Sequence, residues 1–204
     1  MKILLIDDNE RLAQLYQTLL VSNDFETMIQ SDPTQALDSI HSFHPDIVLL
    51  DIMMDPIPGW EVLDLIRADP EYNEIPVIIL TGKVLTLHEA IRYGLQIEGY
   101  VMKPLEKTML ISVIQELSEI LDECESRYRR AIQSGLSIEQ ATKCRSIARK
   151  QKMLVFLKHT LQKQEQLLNL RPEEHDSLVE PIDELRNIIN QEFSKINETL
   201  KACP

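Results

Sequence analysis

Ile3-Leu4-Leu5-Ile6-Asp7-Asp8 opens the chain with an apolar run that ends on two carboxylates. The pattern returns three times. Ile47-Val48-Leu49-Leu50 ends on Asp51, Val77-Ile78-Ile79-Leu80 on Thr81, and Tyr100-Val101-Met102 on Lys103-Pro104. Each run reads as a buried strand. In an open parallel sheet, ligands bind outside the carboxyl ends of the strands. Carboxylates, a hydroxyl and an ammonium delivered to one sheet edge therefore converge on one site. Three carboxylates without a buried partner repel one another and imply a hard divalent cation, Mg2+ before others.

A cation beside Asp51, with Lys103 and Thr81 opposite, suits a phosphoryl group held on an aspartate. The order of these motifs, their strand context and their spacing resemble the receiver domain of two-component response regulators. The resemblance covers residues 1–122. It implies a doubly wound, flavodoxin-like α/β fold: a five-stranded parallel sheet with helices on both faces. Asp51 is then the phosphoacceptor for a histidine kinase partner. Asp8 is a direct magnesium ligand, Asp7 acts on the metal mainly through water, and Met53 offers its backbone carbonyl. Thr81 donates to a phosphoryl oxygen and Lys103 pairs with the phosphoryl charge. Tyr100 occupies the family's rotating aromatic switch position.

Phosphorylation adds close to two negative charges and three strong acceptors. The resemblance implies that Thr81 moves toward them, that Gly82 leaves room for the phosphate, and that Tyr100 turns into the vacated space. The loop Met53-Met54-Asp55-Pro56-Ile57-Pro58-Gly59 departs from the family pattern. Asp55 displaces the proline by one place, and Pro58 stands before the glycine. Met53 and Lys83 sit where the family tunes water access. Read alone, Asp7-Asp8 also suits a strand-end turn that caps a helix near Asn9.

The 204 residues are 44% hydrophobic, enough for a packed core. No apolar run approaches membrane-spanning length. Met1-Lys2-Ile3 enters the first strand at once, so no signal peptide is expected and the chain reads as cytoplasmic. Cys124, Cys144 and Cys203 show no metal spacing and read as free thiols. His41, His44, His88 and His175 show no ligand spacing, and Trp60 reads as packing that can report on the site by fluorescence.

The second half is predicted to be all helical, with residues 123–204 as an output or dimerisation extension. Leu110, Ile114, Leu117, Leu121, Cys124, Tyr128 and Ala131 alternate steps of four and three, which is coiled-coil spacing. Up to Leu121 this stripe covers the sheet; beyond it, an interchain partner is expected, hence a homodimer. Gly135 suits a left-handed cap, and Ser137-Ile138-Glu139-Gln140 is a capping box that opens the next helix. Its stripe includes Ile147, Leu154, Leu157, Leu161 and Leu168. After Arg171-Pro172, a third helix carries Leu178, Ile182, Leu185, Ile189, Phe193, Ile196 and Leu200, with Pro181 near its start.

Charge is distributed in blocks. The net −12 divides into −16 over residues 1–126 and +4 over residues 127–204, and residues 127–163 alone carry +9. Three outputs follow. The helices present a phosphorylation-controlled surface to a protein partner, with the basic segment paired to acidic residues inside the molecule. Alternatively, Arg127, Arg129, Arg130, Lys143, Arg145, Arg149, Lys150 and Lys152 bind nucleic-acid phosphates, although no helix-turn-helix spacing accompanies them. Third, His159 relays a phosphoryl group, although Thr160 follows it where an acid is customary.

Overall fold

The computed structural model describes residues 1–103, 107–168 and 172–200, without the side chains of residues 107, 166–168, 172–179 and 200. Pro104, Arg171 and Cys203 lie outside the described residues, as do the side chains of Leu168, His175, Leu178 and Leu200.

Five strands form one sheet: β1 (Lys2–Ile6), β2 (Glu26–Gln30), β3 (Ile47–Leu50), β4 (Val77–Thr81) and β5 (Gly99–Met102). Every pairing is parallel, in the order β2-β1-β3-β4-β5. This is the fold class expected from the sequence. Side chains alternate between the two faces of a strand. Ile3, Leu5, Ile47, Leu49, Ile78 and Leu80 therefore face α1 (Glu10–Val21) and α5 (Lys107–Gln133). Leu4, Ile6, Val48, Leu50, Val77 and Ile79 face α2 (Ala36–Phe43), α3 (Gly59–Ala68) and α4 (Leu87–Tyr93). The apolar strand runs are continuous because both faces are covered.

Helix α5 runs on well past the sheet and ends where the sequence places its stop. Gly135 takes φ 97°, and the Leu136 N–H reaches back to the Ala131 carbonyl at 3.2 Å. The Ser137 and Gln140 side chains then exchange bonds with each other's backbone N–H, both at 3.2 Å, and start α6 (Ile138–Leu168). Helix α7 (Pro172–Leu200) carries Pro172 in its first position and Pro181 in its interior.

The two C-terminal helices pack onto the core of the five-stranded sheet itself. Met153 and Phe156 of α6 join the core on the α1/α5 side. Leu154, Leu157 and Leu161 join the core on the α2–α4 side. Helix α6 thus straddles the edge of β5 and closes both layers. Helix α7 follows through Leu185, Ile189 and Ile196, all buried. Leu185 lies against the end of α4, where a Cβ on Gly94 would stand 2.2 Å from its Cδ1.

Two expectations are corrected. The stripe beyond Leu121 does not wait for a second chain. Helix α6 folds back antiparallel over it, burying Cys124 and laying the Arg145 guanidinium 4.6 Å from the Tyr128 ring centroid. Periodicity shows that a stripe needs cover but not whose cover it takes. Cys124 is a free thiol, but Cys144 is disulfide-bonded, so the three cysteines are not all free. Helix α7 returns antiparallel along α6, marked by the Gln151–Asn197 and Lys158–Asn190 side-chain bonds.

Leu185 is fully buried between α7 and the α4 side of the core. Leu185→Ala is expected to cost about 2–5 kcal/mol, read by urea unfolding. Because α6 and α7 share the core of the sheet, unfolding is expected in one transition; two resolved transitions would show a hairpin that folds apart from the sheet.

Candidate functional site

Asp7 leaves the end of β1 fully buried. Its Oδ1 accepts the Asn9 N–H at 3.0 Å, while Asn9 itself caps α1. Asp51 follows β3, its backbone N–H tied to the Ile6 carbonyl at 2.9 Å, so the two carboxylates stand on adjacent strands. The Lys103 ammonium donates to Asp7 Oδ2 at 2.6 Å and to Asp51 Oδ2 at 2.8 Å. The Lys103 backbone N–H donates to the Thr81 carbonyl at 2.7 Å, which registers the ends of β4 and β5. Thr81 is buried, and its Oγ1 accepts the Lys83 N–H at 3.2 Å. Asp7, Asp51 and Lys103 are thus in direct contact, with Thr81 one backbone bond away.

Asp8 and Met53 sit at the rim. Asp8 is exposed, and its Oδ2 accepts the Asp55 N–H at 3.1 Å, tying the β1 end to the loop after Asp51. Met53 touches the site through its backbone N–H, which donates to Asp51 Oδ1 at 3.1 Å, while its side chain is exposed. In the same loop the Asp55–Pro56 peptide is cis. Gly59 closes the loop against the end of β3: a Cβ there would stand 2.0 Å from the Asp51 carbonyl oxygen. No larger residue fits without moving Asp51.

Burial pushes the Asp7 carboxyl above its ordinary value, against the bond from Lys103. Burial works the other way on Lys103, but its bonds to Asp51 and Asp7 outweigh it and hold the ammonium above its ordinary value. The site therefore keeps a carboxylate that carries an electrostatic cost in the resting chain. The donor set, carboxylates plus a backbone carbonyl, fits a hard cation in type. Among the described residues no three acidic, histidine or cysteine groups converge closely enough to hold one as they stand. Lys103 supplies the positive charge between Asp7 and Asp51.

A second set of bonds lies behind Thr81. The Tyr100 ring is fully buried, and its hydroxyl donates to the Lys83 carbonyl. The Lys83 ammonium pairs with Glu89 Oε1 at 2.5 Å, and the Trp60 indole N–H donates to the same oxygen at 2.7 Å. Glu89 Oε2 closes the capping box with Thr86 at the start of α4. Trp60, next to Gly59, stacks on Tyr93 with centroids 4.4 Å apart. The single tryptophan is packing, as read, yet it shares Glu89 with Lys83, whose carbonyl holds Tyr100.

Two participants escaped sequence reasoning. Thr160 and Gln164 of α6, 0% and 1% exposed, accept the outward backbone N–H groups of Tyr100 at 3.4 Å and Met102 at 3.0 Å. The usable signal was two polar residues four apart that continue the helical face of Met153, Phe156, Leu157 and Leu161. His159, the neighbour that was weighed, is half exposed and bonds Glu116 of α5 through Nδ1 at 2.6 Å. Much of the basic segment is engaged within the chain: Arg145 with Glu125, Lys150 with Glu192, Lys152 with Glu123 and Lys163 with Glu116. Arg149 donates to the Glu74 carbonyl at 2.8 Å.

A family model described as the response regulator receiver domain matches residues 3–115. The chain is 32% identical over 114 residues to the DNA-binding response regulator MtrA of Mycolicibacterium paratuberculosis, covering 56% of this chain and 49% of that one. It therefore spans about half the length of the MtrA relatives it matches. It is 32% identical, again over 114 residues, to the polar-differentiation response regulator DivK of Brucella ovis, covering 55% of this chain and 92% of that one. Among solved structures, the signal receiver domain of a DNA binding response regulator from Colwellia psychrerythraea is similar at 31% identity and a TM-score of 0.53, over 58% of this chain and 98% of the other.

The strained Asp7 carboxylate has a measurable consequence. Because its folded pKa lies above the ordinary value of 3.8, the folded state binds a proton there more tightly than the unfolded state does. Its contribution to stability is thus present below 3.8 and lost as pH rises through the raised value. Asp7→Asn should gain stability relative to wild type over that rise, read by urea unfolding at a series of pH values. A difference that does not vary with pH would contradict this account.

Proposed function

Since this chain belongs to the response regulator receiver domain family, we propose that Asp51 accepts a phosphoryl group from a histidine kinase and that the chain converts its charge into a change of helical surface. The observation that carries this reading is the Lys103 ammonium, held between Asp7 and Asp51 at the carboxyl ends of three strands. Phosphoryl transfer depends on positioning and charge neutralisation more than on covalent help. An Asp51 carboxylate oxygen forms the new bond to phosphorus as the bond to the donor histidine nitrogen breaks. Magnesium, held by Asp7, Asp8, Asp51 and the Met53 carbonyl, would neutralise charge on the phosphoryl oxygens.

The chain's own residues carry the rest. Lys103 exchanges its bond to the Asp51 carboxylate for one to the phosphoryl group. Thr81 keeps its hydroxyl hydrogen for a phosphoryl oxygen, since Oγ1 is an acceptor in its bond from Lys83. A shift of Thr81 draws on Lys83, whose carbonyl holds the Tyr100 hydroxyl and whose ammonium holds Glu89. The charge change thereby reaches α4 and β5, on which α7 and α6 rest. A local charge event biasing a packed element is how such switches generally act.

For the output we favour a protein partner, bound on the outer faces of α6 and α7 or through a homodimer formed there. The engagement of the basic side chains with Glu116, Glu123, Glu125 and Glu192 supports it. DNA binding, carried in the printed names of the MtrA relatives, is the alternative. A relay through His159 gains no support, because its ring is committed to Glu116.

Asp51→Asn is expected to abolish magnesium-dependent labelling by acetyl phosphate; labelling at the wild-type rate would sink the assignment. Lys103→Ala is expected to bind magnesium but to lose the change in Trp60 fluorescence on adding beryllofluoride. A wild-type response would remove Lys103 from its role. Anisotropy of labelled duplex DNA should show only weak binding that salt removes and beryllofluoride ignores; salt-resistant, beryllofluoride-sensitive binding would favour the DNA-binding alternative.

A further inference from the structure

A parallel strand at the edge of a sheet leaves every second backbone N–H without a partner. In β5 the Lys103 N–H points inward to the Thr81 carbonyl of β4. Those of Tyr100 and Met102 point outward. Helix α6 meets them with Thr160 Oγ1 and Gln164 Oε1. The geometry is matched by repeat length: four residues of helix rise about 6 Å, and two residues of strand advance about 6.6 Å. One helical i, i+4 pair can therefore accept consecutive outward amides of a strand. Phe156, one further turn back, packs against Gly99, where a Cβ would stand 3.4 Å from its Cε1.

These bonds end immediately before Lys103. The residue that bridges Asp7 and Asp51 is thus set from two sides, by β4 through its own N–H and by α6 through the preceding amide. Gln164 is committed to this task at a cost. It is buried, and its Nε2 has no partner among the described residues. An orphan donor at a buried position is unfavourable, so what recommends glutamine there is its acceptor oxygen on the Met102 amide.

We infer that Thr160 and Gln164 are positioning residues for phosphorylation of Asp51, acting through β5 on Lys103 and Tyr100, so that helix α6 is part of the phosphorylation machinery of the receiver. The inference rests on the proposed role of Asp51. Both residues lie beyond residues 3–115, the span of the family match. Linkage then works in both directions: a helix that sets Lys103 is itself biased when Lys103 takes a new partner.

The test uses the full chain. Gln164→Met keeps the volume, removes the acceptor and removes the orphan Nε2 with it. Thr160→Val removes the hydroxyl, and Thr160→Ser keeps it. Each variant, and the double variant Gln164→Met with Thr160→Val, is labelled with acetyl phosphate and magnesium, and amide exchange is followed at Tyr100 and Met102. In the double variant the maximal labelling rate is expected to fall by about ten- to a hundred-fold, as small misplacements of reacting groups do. Apparent affinity for acetyl phosphate should hold, Thr160→Ser should behave as wild type, and exchange at Met102 should quicken.

Wild-type labelling in a variant whose Met102 amide exchanges faster would overturn the inference and leave the role of Asp51 intact. Failure of Thr160→Ser to keep the wild-type rate would also count against it, since bulk rather than the hydroxyl would then matter. If the double variant does not fold, Gln164→Met alone decides, a wild-type rate overturning the inference and a reduced maximal rate supporting it. Absence of labelling in wild type itself overturns the reading of Asp51 and this inference together.

Discussion

The unpaired edge of β5 is the constraint around which this molecule is arranged. A buried N–H without a partner costs about as much as a lost hydrogen bond. An edge strand must therefore be charged, shortened or covered. Here it is covered from within. Thr160 and Gln164 satisfy the outward amides, and the apolar residues around them close both layers of the core. Once α6 lies on β5, α5 gains its cover beyond the sheet and α7 gains a surface formed by α6 and α4. The other edge, β2, is managed differently. It remains half exposed, and its residues Glu26 to Gln30 are mostly polar.

At the opposite end of the strands the governing term is charge. Asp7 and Asp51 are brought together by sheet register, and only Lys103 lies between them among the described residues. Burial raises the Asp7 carboxyl despite that bond. A site that is costly at rest and relieved by a bound cation is suited to switching, because ligands act through differential interaction with two states. The Glu89 carboxylate, shared by Trp60, Lys83 and Thr86, does the same work in a satisfied form. It anchors the loop that would have to give way.

Charge blocks read along a chain say what must be neutralised, and the fold says by whom. The basic run of residues 127–163 is suggestive of a phosphate footprint when read as sequence. In the folded chain, α5 and α7 flank α6 and present Glu116, Glu123, Glu125 and Glu192 to it. Ion pairs at this exposure contribute little stability each. Their importance here is that they occupy donors that nucleic acid would otherwise use. The heptad in α5 gives the same lesson in apolar form: Cys124 and Tyr128 needed a partner, and the partner arrived from the same chain.

By itself the sequence determined the strands β1, β3, β4 and β5, their parallel order of burial and the polar groups at their ends. It also determined the cap at Gly135, the capping box at Ser137 and the helical nature of the described segments on either side of them. These are local properties, carried by period, run length and turn chemistry. Strand β2 was legible only as a count, since a half-exposed edge strand has no apolar run to betray it. Tertiary structure alone decided that Lys103 sits between two carboxylates, that Gly59 touches the Asp51 carbonyl and that Tyr100 points to Lys83. It alone decided that α6 straddles β5, with Thr160 and Gln164 turned inward. The physical reason is distance along the chain: Tyr100 and Thr160 are sixty residues apart. No local pattern states which buried amide a polar residue in a helix will meet.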